Sequence, residues 1–321
     1  MSVKAAPSEP GTSQTGSSDR DGTKRREWNR TTRADAFWGY AMIAPGLIGL
    51  LVFYIWPMIQ TFYFSFTEWG PFGDAEWTGL ANYRELFRGT EFLMALRNTL
   101  VYTVLSVSIT EAIALVLAVL LNQKLRGMSV YRTLYFIPVV TMPVAIGLVW
   151  RWLYNSDYGV INYVLSLVGI EGANWLSDPN LALYAIVVVG VWSGVGYALV
   201  LFLAGLQTIP RSLYEAAEID GASKWQQFWE ITLPMLRPAI VVALIFRTIT
   251  AIQTFDIPYA MTNGGPGNAT ETLAMFIHKT TIDFLDLGYG SALAVLMFIV
   301  SALATAGYLR YTRRDPGQKG H

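Results

Sequence analysis

Cysteine is absent from the 321 residues, and histidine occurs only twice, at His278 and His321. The first absence excludes a disulfide framework, a thiol nucleophile and any thiolate metal site. The second leaves one histidine on an outer loop and one at the terminus, from which neither a metal cluster nor a catalytic triad is expected. No G-x-x-x-x-G-K-S/T phosphate loop occurs either, because Gly264-Gly265-Pro266-Gly267 lacks the Lys and Ser/Thr that hold phosphate and magnesium and reads as a turn. Charge is scarce: 14% of residues are charged and 53% are apolar, too little polar surface to cover a soluble globule. A net charge of zero gives no hint of a nucleic-acid partner.

Long apolar runs are what the chain has in abundance. A helix needs roughly 20 apolar residues to cross hydrocarbon. No charge interrupts 36–67, 133–150, 179–210 or 287–309, and two further stretches tolerate isolated charges, about 98–121 around Glu111 and about 238–257 around Arg247 and Asp256. The expectation is an all-α polytopic membrane protein with six transmembrane helices inside a domain covering residues 37–310.

Lys and Arg accumulate on the cytoplasmic side of short loops. The segment before Phe37 carries seven, the 122–132 loop three, the 205–237 loop three and the stretch after Leu309 four, while the alternate loops together hold Arg84, Arg88 and Lys279. Both termini and the 205–237 loop are therefore expected in the cytoplasm. Residues 1–36, rich in Ser, Gly, Thr and charge, read as a basic tail that is disordered or lies along the membrane surface, and 311–321 as a second tail. The apolar run that follows the first tail is too long for a cleavable h-region and reads as a retained anchor. Outside, the 68–96 loop has Trp69, Pro71, Trp77 and Tyr83, enough aromatics for a small folded cap.

The segment from Gly205 to Arg237 reads GLQTIPRSLYEAAEIDGASKWQQFWEITLPMLR. Pro210 ends the preceding span, Ser212 is expected to cap a helix over 213–220, and Glu215 would complete a capping box. Gly221 allows the turn where a side chain would clash in a left-handed conformation. A second short helix, about 223–232, would expose Trp225, Phe228 and Trp229 before Pro234 breaks it. Two short helices meeting at a glycine make a rigid knob. Such a knob suits transmission of a push from a partner, or anchoring on lipid headgroups through Trp225 and Trp229.

Within that segment, Glu215-Ala216-Ala217, Asp220-Gly221-Ala222, Ile231 and Leu233-Pro234 keep a spacing that resembles the EAA loop of bacterial ABC importer permeases, the cytoplasmic segment through which a membrane subunit grips its ATPase. The resemblance covers roughly residues 37–309. It includes Ala44-Pro45-Gly46, Trp56-Pro57, Leu134-Tyr135-Phe136-Ile137-Pro138 and Thr254-Phe255-Asp256, and is similar to the maltose and glycerol-3-phosphate branch. It implies a type I importer permease of the bacterial cytoplasmic membrane that forms half of a sugar pathway. The implied partners are a second homologous permease, two ATPase subunits and an extracytoplasmic sugar-binding lipoprotein. ATP and magnesium would sit on the ATPases, and this chain would bind no cofactor and catalyse nothing. A di- or oligosaccharide such as trehalose or a maltose-like glucoside is the expected cargo. Two alternatives stand beside it: a glycerol-3-phosphate-type solute, and an ion-coupled secondary transporter using Glu111 and Asp256.

A charge at the centre of a membrane helix costs about 3 kcal/mol or more on insertion scales, so each is a functional candidate. Glu111 and Arg247 fall at similar depth, and read either as a buried pair that fixes packing or as groups facing a water-filled pathway. Asp256, expected on the same helix roughly 13 Å beyond Arg247, falls near the outer mouth. Recognition of sugar hydroxyls needs carboxylates or amides, and the ring's apolar side needs aromatic faces. Gln253, Asp256, Tyr259 and Asn263 supply these, with Trp192 and Tyr197 as further stacking surface or as packing residues beside Gly190, Gly194 and Gly196.

Overall fold

The computed structural model describes residues 21–122 and 128–313. The expected tails before 21 and after 313, with Lys124 and Arg126 of the 122–132 loop, lie outside the described residues.

Residues up to Gln60 form one unit. Helix α1 (Asp21–Leu50) passes through a π-helical turn (Leu51–Ile55) into α2 (Trp56–Phe64). The wide turn ends two residues before Pro57, whose missing N–H and bulky ring cannot fit a regular i→i−4 ladder. Large apolar side chains along this rod stand free, Met42 being 80% and Phe53 75% exposed, as expected of a helix meant for lipid or another subunit. The helix starts at Asp21, inside the stretch read as a disordered or surface-lying tail. Lys24, Arg25, Arg26 and Glu27 are good helix formers, so a polar composition did not prevent helix.

From Thr61 onward the second unit builds the bundle. A two-stranded antiparallel ladder, β1 (Thr67–Glu68) with β2 (Glu76–Trp77), and α3 (Ala81–Arg88) make the small cap. Asn82 Nδ2 donates to the carbonyls of Ser65 and Thr67, and Trp77 stacks on Phe66 at 5.4 Å. Then come α4 (Thr90–Leu121), α5 (Met128–Val140), α6 (Pro143–Leu153), α7 (Val160–Leu167) and α8 (Ala182–Gln207). Next are α9 (Arg211–Ile219), α10 (Lys224–Gln227), α11 (Leu233–Ile252), α12 (Asp256–Thr262), α13 (Leu273–His278) and α14 (Leu287–Arg313). The core forms where α4, α8 and α11 meet, with Phe202, Ile186, Leu199 and Leu236 almost fully buried.

Three expectations need correction. Residues 133–150 are not one straight span: α5 and α6 meet at 107° across Thr141 and Met142, where Pro143 opens the second helix and forbids a continuous ladder. Among the described residues, five apolar helices are long enough to cross a membrane unbroken, and that bent pair makes six. The fifth span also ends early, at Ile252, so Asp256 begins a separate short helix instead of extending the one that carries Arg247. Pro234 breaks nothing. A π-helical turn (Phe228–Thr232) absorbs it, as the earlier one absorbs Pro57, and α10 continues into α11 as one helix from Lys224 to Ile252.

Glycines set the closest approaches. A Cβ at Gly190 would overlap the Tyr102 hydroxyl of α4, one at Gly194 would overlap the Arg247 guanidinium of α11, and one at Gly196 would overlap the Tyr135 carbonyl of α5. The small residues of α8 thus admit three different neighbours.

Candidate functional site

The knob is built by local rules. Helix α9 begins at Arg211 with Pro210 at its N-cap and no side-chain cap, so Ser212 and Glu215 do not form the expected capping box. The box lies instead at the second helix: Ser223 Oγ accepts from the Gln226 N–H at 3.3 Å, and Gln226 Oε1 takes the Ser223 N–H at 2.8 Å. Between them Gly221, at φ +80°, closes α9 with paired C-terminal bonds, Ala222 N–H to Ala217 O at 2.8 Å and Gly221 N–H to Glu218 O at 3.1 Å. Lys224 bonds Glu218 across the turn, and that hydrogen bond and charge hold the exposed Glu218 carboxyl below its usual range.

Glu215, Ala216, Asp220, Gly221 and Pro234 face outward; Ala217, Ala222, Ile231 and Leu233 are half-buried. Trp225 is 69% exposed and Trp229 and Leu213 are exposed beside it, whereas Phe228 is half-buried. Ile219, 87% exposed, was not singled out from the sequence. A bare isoleucine at the end of α9, just before Asp220-Gly221, was the available signal.

The far end of α11 carries the other candidates, about 40 Å away along a 29-residue helix. Gln253 caps α11 and is exposed; Asp256 opens α12 and is exposed; Asn263 caps α12 in the left-handed region at φ 49°. Tyr259 stacks on Phe255 at 4.9 Å and lies 5.8 Å from the His278 ring. The structure therefore divides Gln253 from Asp256 and Tyr259 by a helix break, but brings Tyr259 and Asn263 to one cavity. Trp192 meets Trp150 edge-on at 5.5 Å and Tyr197 meets Phe246 at 6.4 Å, both about half exposed, so packing and exposure coexist there.

Glu111 and Arg247 do not form a hydrogen-bonded pair. Arg247 Nη2 donates to the Gly190 carbonyl at 2.7 Å, while both carboxylate oxygens of Glu111, with the hydroxyls of Thr103, Ser106 and Thr110 on the same helix, are buried without a partner. The sequence could place the two charges at one depth but not resolve which backbone acceptor the close glycine stripe of α8 exposes to Arg247.

The family model for the "binding-protein-dependent transport system inner membrane component" matches residues 111–314, most of the chain and all of the knob. The chain belongs to that family. It is a multi-pass permease, a transport subunit and not an enzyme. Among curated relatives, the permease is 46% identical over 85% of its length to the sulfoquinovosyl glycerol transport system permease protein SmoG of Agrobacterium fabrum, covering 89% of that protein. It is 40% identical to the trehalose/maltose transport system permease protein MalF of Thermococcus litoralis, over 86% and 93% of the two chains. It is 34% identical to the sn-glycerol-3-phosphate transport system permease protein UgpA of Agrobacterium fabrum, over 86% and 94%. Among solved structures, a chain of a bacterial ABC transporter for import of the acidic polysaccharide alginate superposes with a TM-score of 0.78 at 23% identity, covering 91% of the permease and 99% of that chain, which identifies the fold.

Proposed function

We propose that this permease forms half of the translocation pathway of an ATP-driven importer for a sugar, a di- or oligosaccharide of the trehalose or maltose-like glucoside class. A second homologous permease would complete the pathway. Two ATPase subunits, carrying ATP and magnesium, would dock on the cytoplasmic knob, and an extracytoplasmic sugar-binding lipoprotein would deliver cargo at the opposite end. The setting is the bacterial cytoplasmic membrane.

The observation that carries this reading is the joint between knob and pathway helix. Two short helices stiffened by a glycine cap and a capping box present Ile219, Trp225 and Trp229 outward, and the second of them runs without a break into α11. A push on that face moves the Arg247 helix as a body, which is the geometry alternating access needs. The permease relatives at 40% identity and above favour a glycoside, and the one named for sn-glycerol-3-phosphate transport keeps a glycerol-linked anion as a second reading.

The test is reconstitution of the complex in liposomes, followed by ATP-dependent uptake across labelled trehalose, maltose, sulfoquinovosyl glycerol and glycerol-3-phosphate. Uptake that stops in Glu215→Ala, with the subunits still assembled, supports coupling through the knob. Uptake that proceeds without any ATPase subunit sinks the reading and favours the ion-coupled alternative.

A further inference from the structure

In the loop before α8, at the end of that helix opposite the knob, α7 turns its apolar stripe away from the protein. Val160, Tyr163, Val164 and Leu167 recur at the three- and four-residue spacing of one helix face, and Val168 and Ile170 extend the row. All six are exposed, Tyr163 by 64% and Leu167 by 67%. The residue turned toward the protein is polar. Asn162 Nδ2 donates to the carbonyls of Ser156 and Ala173, each at 3.1 Å, and its Oδ1 accepts from the Ala173 N–H at 3.3 Å and the Trp175 indole N–H at 2.7 Å. A helix on a water-washed loop has the reverse pattern, apolar face in and polar face out.

Those bonds fix where the stripe lies. The Trp175 ring sits 5.8 Å from that of Tyr154, the residue that ends α6, and the Tyr154 hydroxyl donates to the Ala185 carbonyl in the first turn of α8 at 3.4 Å. Two side chains thus link Asn162 to the start of α8. Because α6 and α8 each belong to an apolar span, α7 is held at the level where two spans leave the hydrocarbon.

Aromatic residues mark that level. Trp152 near the end of α6, Tyr184 in the first turn of α8, and Tyr158 and Tyr163 on the loop are each more than half exposed. Such rings gather at the headgroup region, where one end meets acyl chains and the other meets water. No Asp, Glu, Lys or Arg occurs between Asp157 and Glu171. On α6 the exposed Leu148, Val149 and Trp152 share one face and carry the lipid-facing apolar surface up to the loop. The stripe of α7 continues a surface that already faces lipid, and an apolar row of this length is poorly suited to water.

We propose that α7, extended by Val168 and Ile170, is an interfacial anchor that lies flat in the bilayer leaflet opposite the knob. Its Tyr163–Leu167 face sinks among the acyl chains just below the headgroups, and its Asn162 face holds the loop to α6 and α8. The partner is the lipid surface itself, so the inference is independent of the solute carried.

The natural absence of cysteine in this chain makes the test direct. Val164→Cys, Leu167→Cys and, on the polar flank, Ser166→Cys are made one at a time in the full complex, with the partner subunits' own cysteines replaced and without binding protein. Each is labelled with a nitroxide and reconstituted into vesicles of phosphatidylethanolamine and phosphatidylglycerol. Collision with oxygen, which concentrates among acyl chains, is compared with collision with a water-soluble nickel chelate. At positions 164 and 167 oxygen should win by about fivefold, as expected roughly 5–10 Å into the headgroup and acyl boundary, and at position 166 the ratio should be about threefold lower. All three side chains are exposed, so the label displaces no packed atoms, and Val168→Cys stands in for a stripe variant that fails to assemble. The proposal is overturned if the chelate collides as often as oxygen at either stripe position, which places the stripe in water. It is overturned equally if neither reagent reaches the stripe, which means a protein partner covers it, or if position 166 is as rich in oxygen as the stripe, which means the helix does not lie flat.

Discussion

The hydroxyls of Tyr214 and Thr232 lie 2.9 Å apart and tie α9 to the π-helical turn that leads into α11. Thr232 is buried, and its Oγ1 also reaches the Gln227 carbonyl at 3.3 Å. The two halves of the knob are thereby joined by a side-chain bond as well as by the Gly221 turn. Tyr214→Phe removes one bond of about 1 kcal/mol while leaving the ring in place. The expected result is roughly fivefold weaker retention of the ATPase subunits, read as the amount that copurifies, with the permease itself still extracted in full.

Gly221 tests the same joint from the backbone side. Its φ of +80° is strained for an L side chain, although a Cβ there would meet no neighbouring atom within 4 Å. Gly221→Ala should therefore cost about 1–2 kcal/mol through conformation alone, without a steric clash. Gly221→Asn should cost less, because asparagine tolerates the left-handed region. Sugar-stimulated ATP hydrolysis should fall in that order, Ala below Asn below the unaltered chain. Equal loss in both variants would point to a contact at this position, not to a turn.

The sequence carried the membrane class, the number of apolar segments and the knob, because each depends on composition or on local spacing. Apolar runs are set by hydrocarbon thickness, and Gly221 could be read from its own conformational freedom. Prolines misled. Pro143 splits a span that looked continuous, whereas Pro234, expected to break a helix, is passed through a π-helical turn. The difference lies in whether the helix can widen by one residue just before the ring, which depends on packing and not on the proline itself. Ser212 caps nothing because α9 already starts at Arg211 behind Pro210, and the capping box forms at α10 on Ser223. The hydrogen bond from Asn98 to the Glu271 carbonyl was illegible, since the two lie more than 170 residues apart along the chain.

Gly190 lets α8 lie against α4, with the Tyr102 hydroxyl where a Cβ would go. Tyr102 itself is 2% exposed and cannot move aside into solvent. Gly190→Ala should destabilise by about 1–3 kcal/mol, as overpacking does in a filled core. Tyr102→Phe removes the offending oxygen, so the double variant should recover much of the loss. Thermal midpoints of the two single variants and the double, measured in one detergent, give the coupling directly, and additive losses would disprove the contact.

Glu111 separates the two classes of transporter. Both of its carboxylate oxygens are buried without a partner, and Arg247 spends a donor on the Gly190 carbonyl instead. Glu111→Gln keeps the shape and removes a buried carboxylate that accepts no hydrogen bond, at the loss only of its attraction to the Arg247 charge, and should leave the thermal midpoint unchanged or raise it by about 2 °C or more. ATP-dependent uptake should persist. Arg247→Ala has the opposite character, since it removes the charged donor that the Gly190 carbonyl shares with the Ser193 hydroxyl, and should lower the thermal midpoint by a loss of about 1 kcal/mol in stability. An ion-coupled carrier that used Glu111 would instead lose uptake in Glu111→Gln with the protein still stable, and would do so whether or not an ATPase subunit is present.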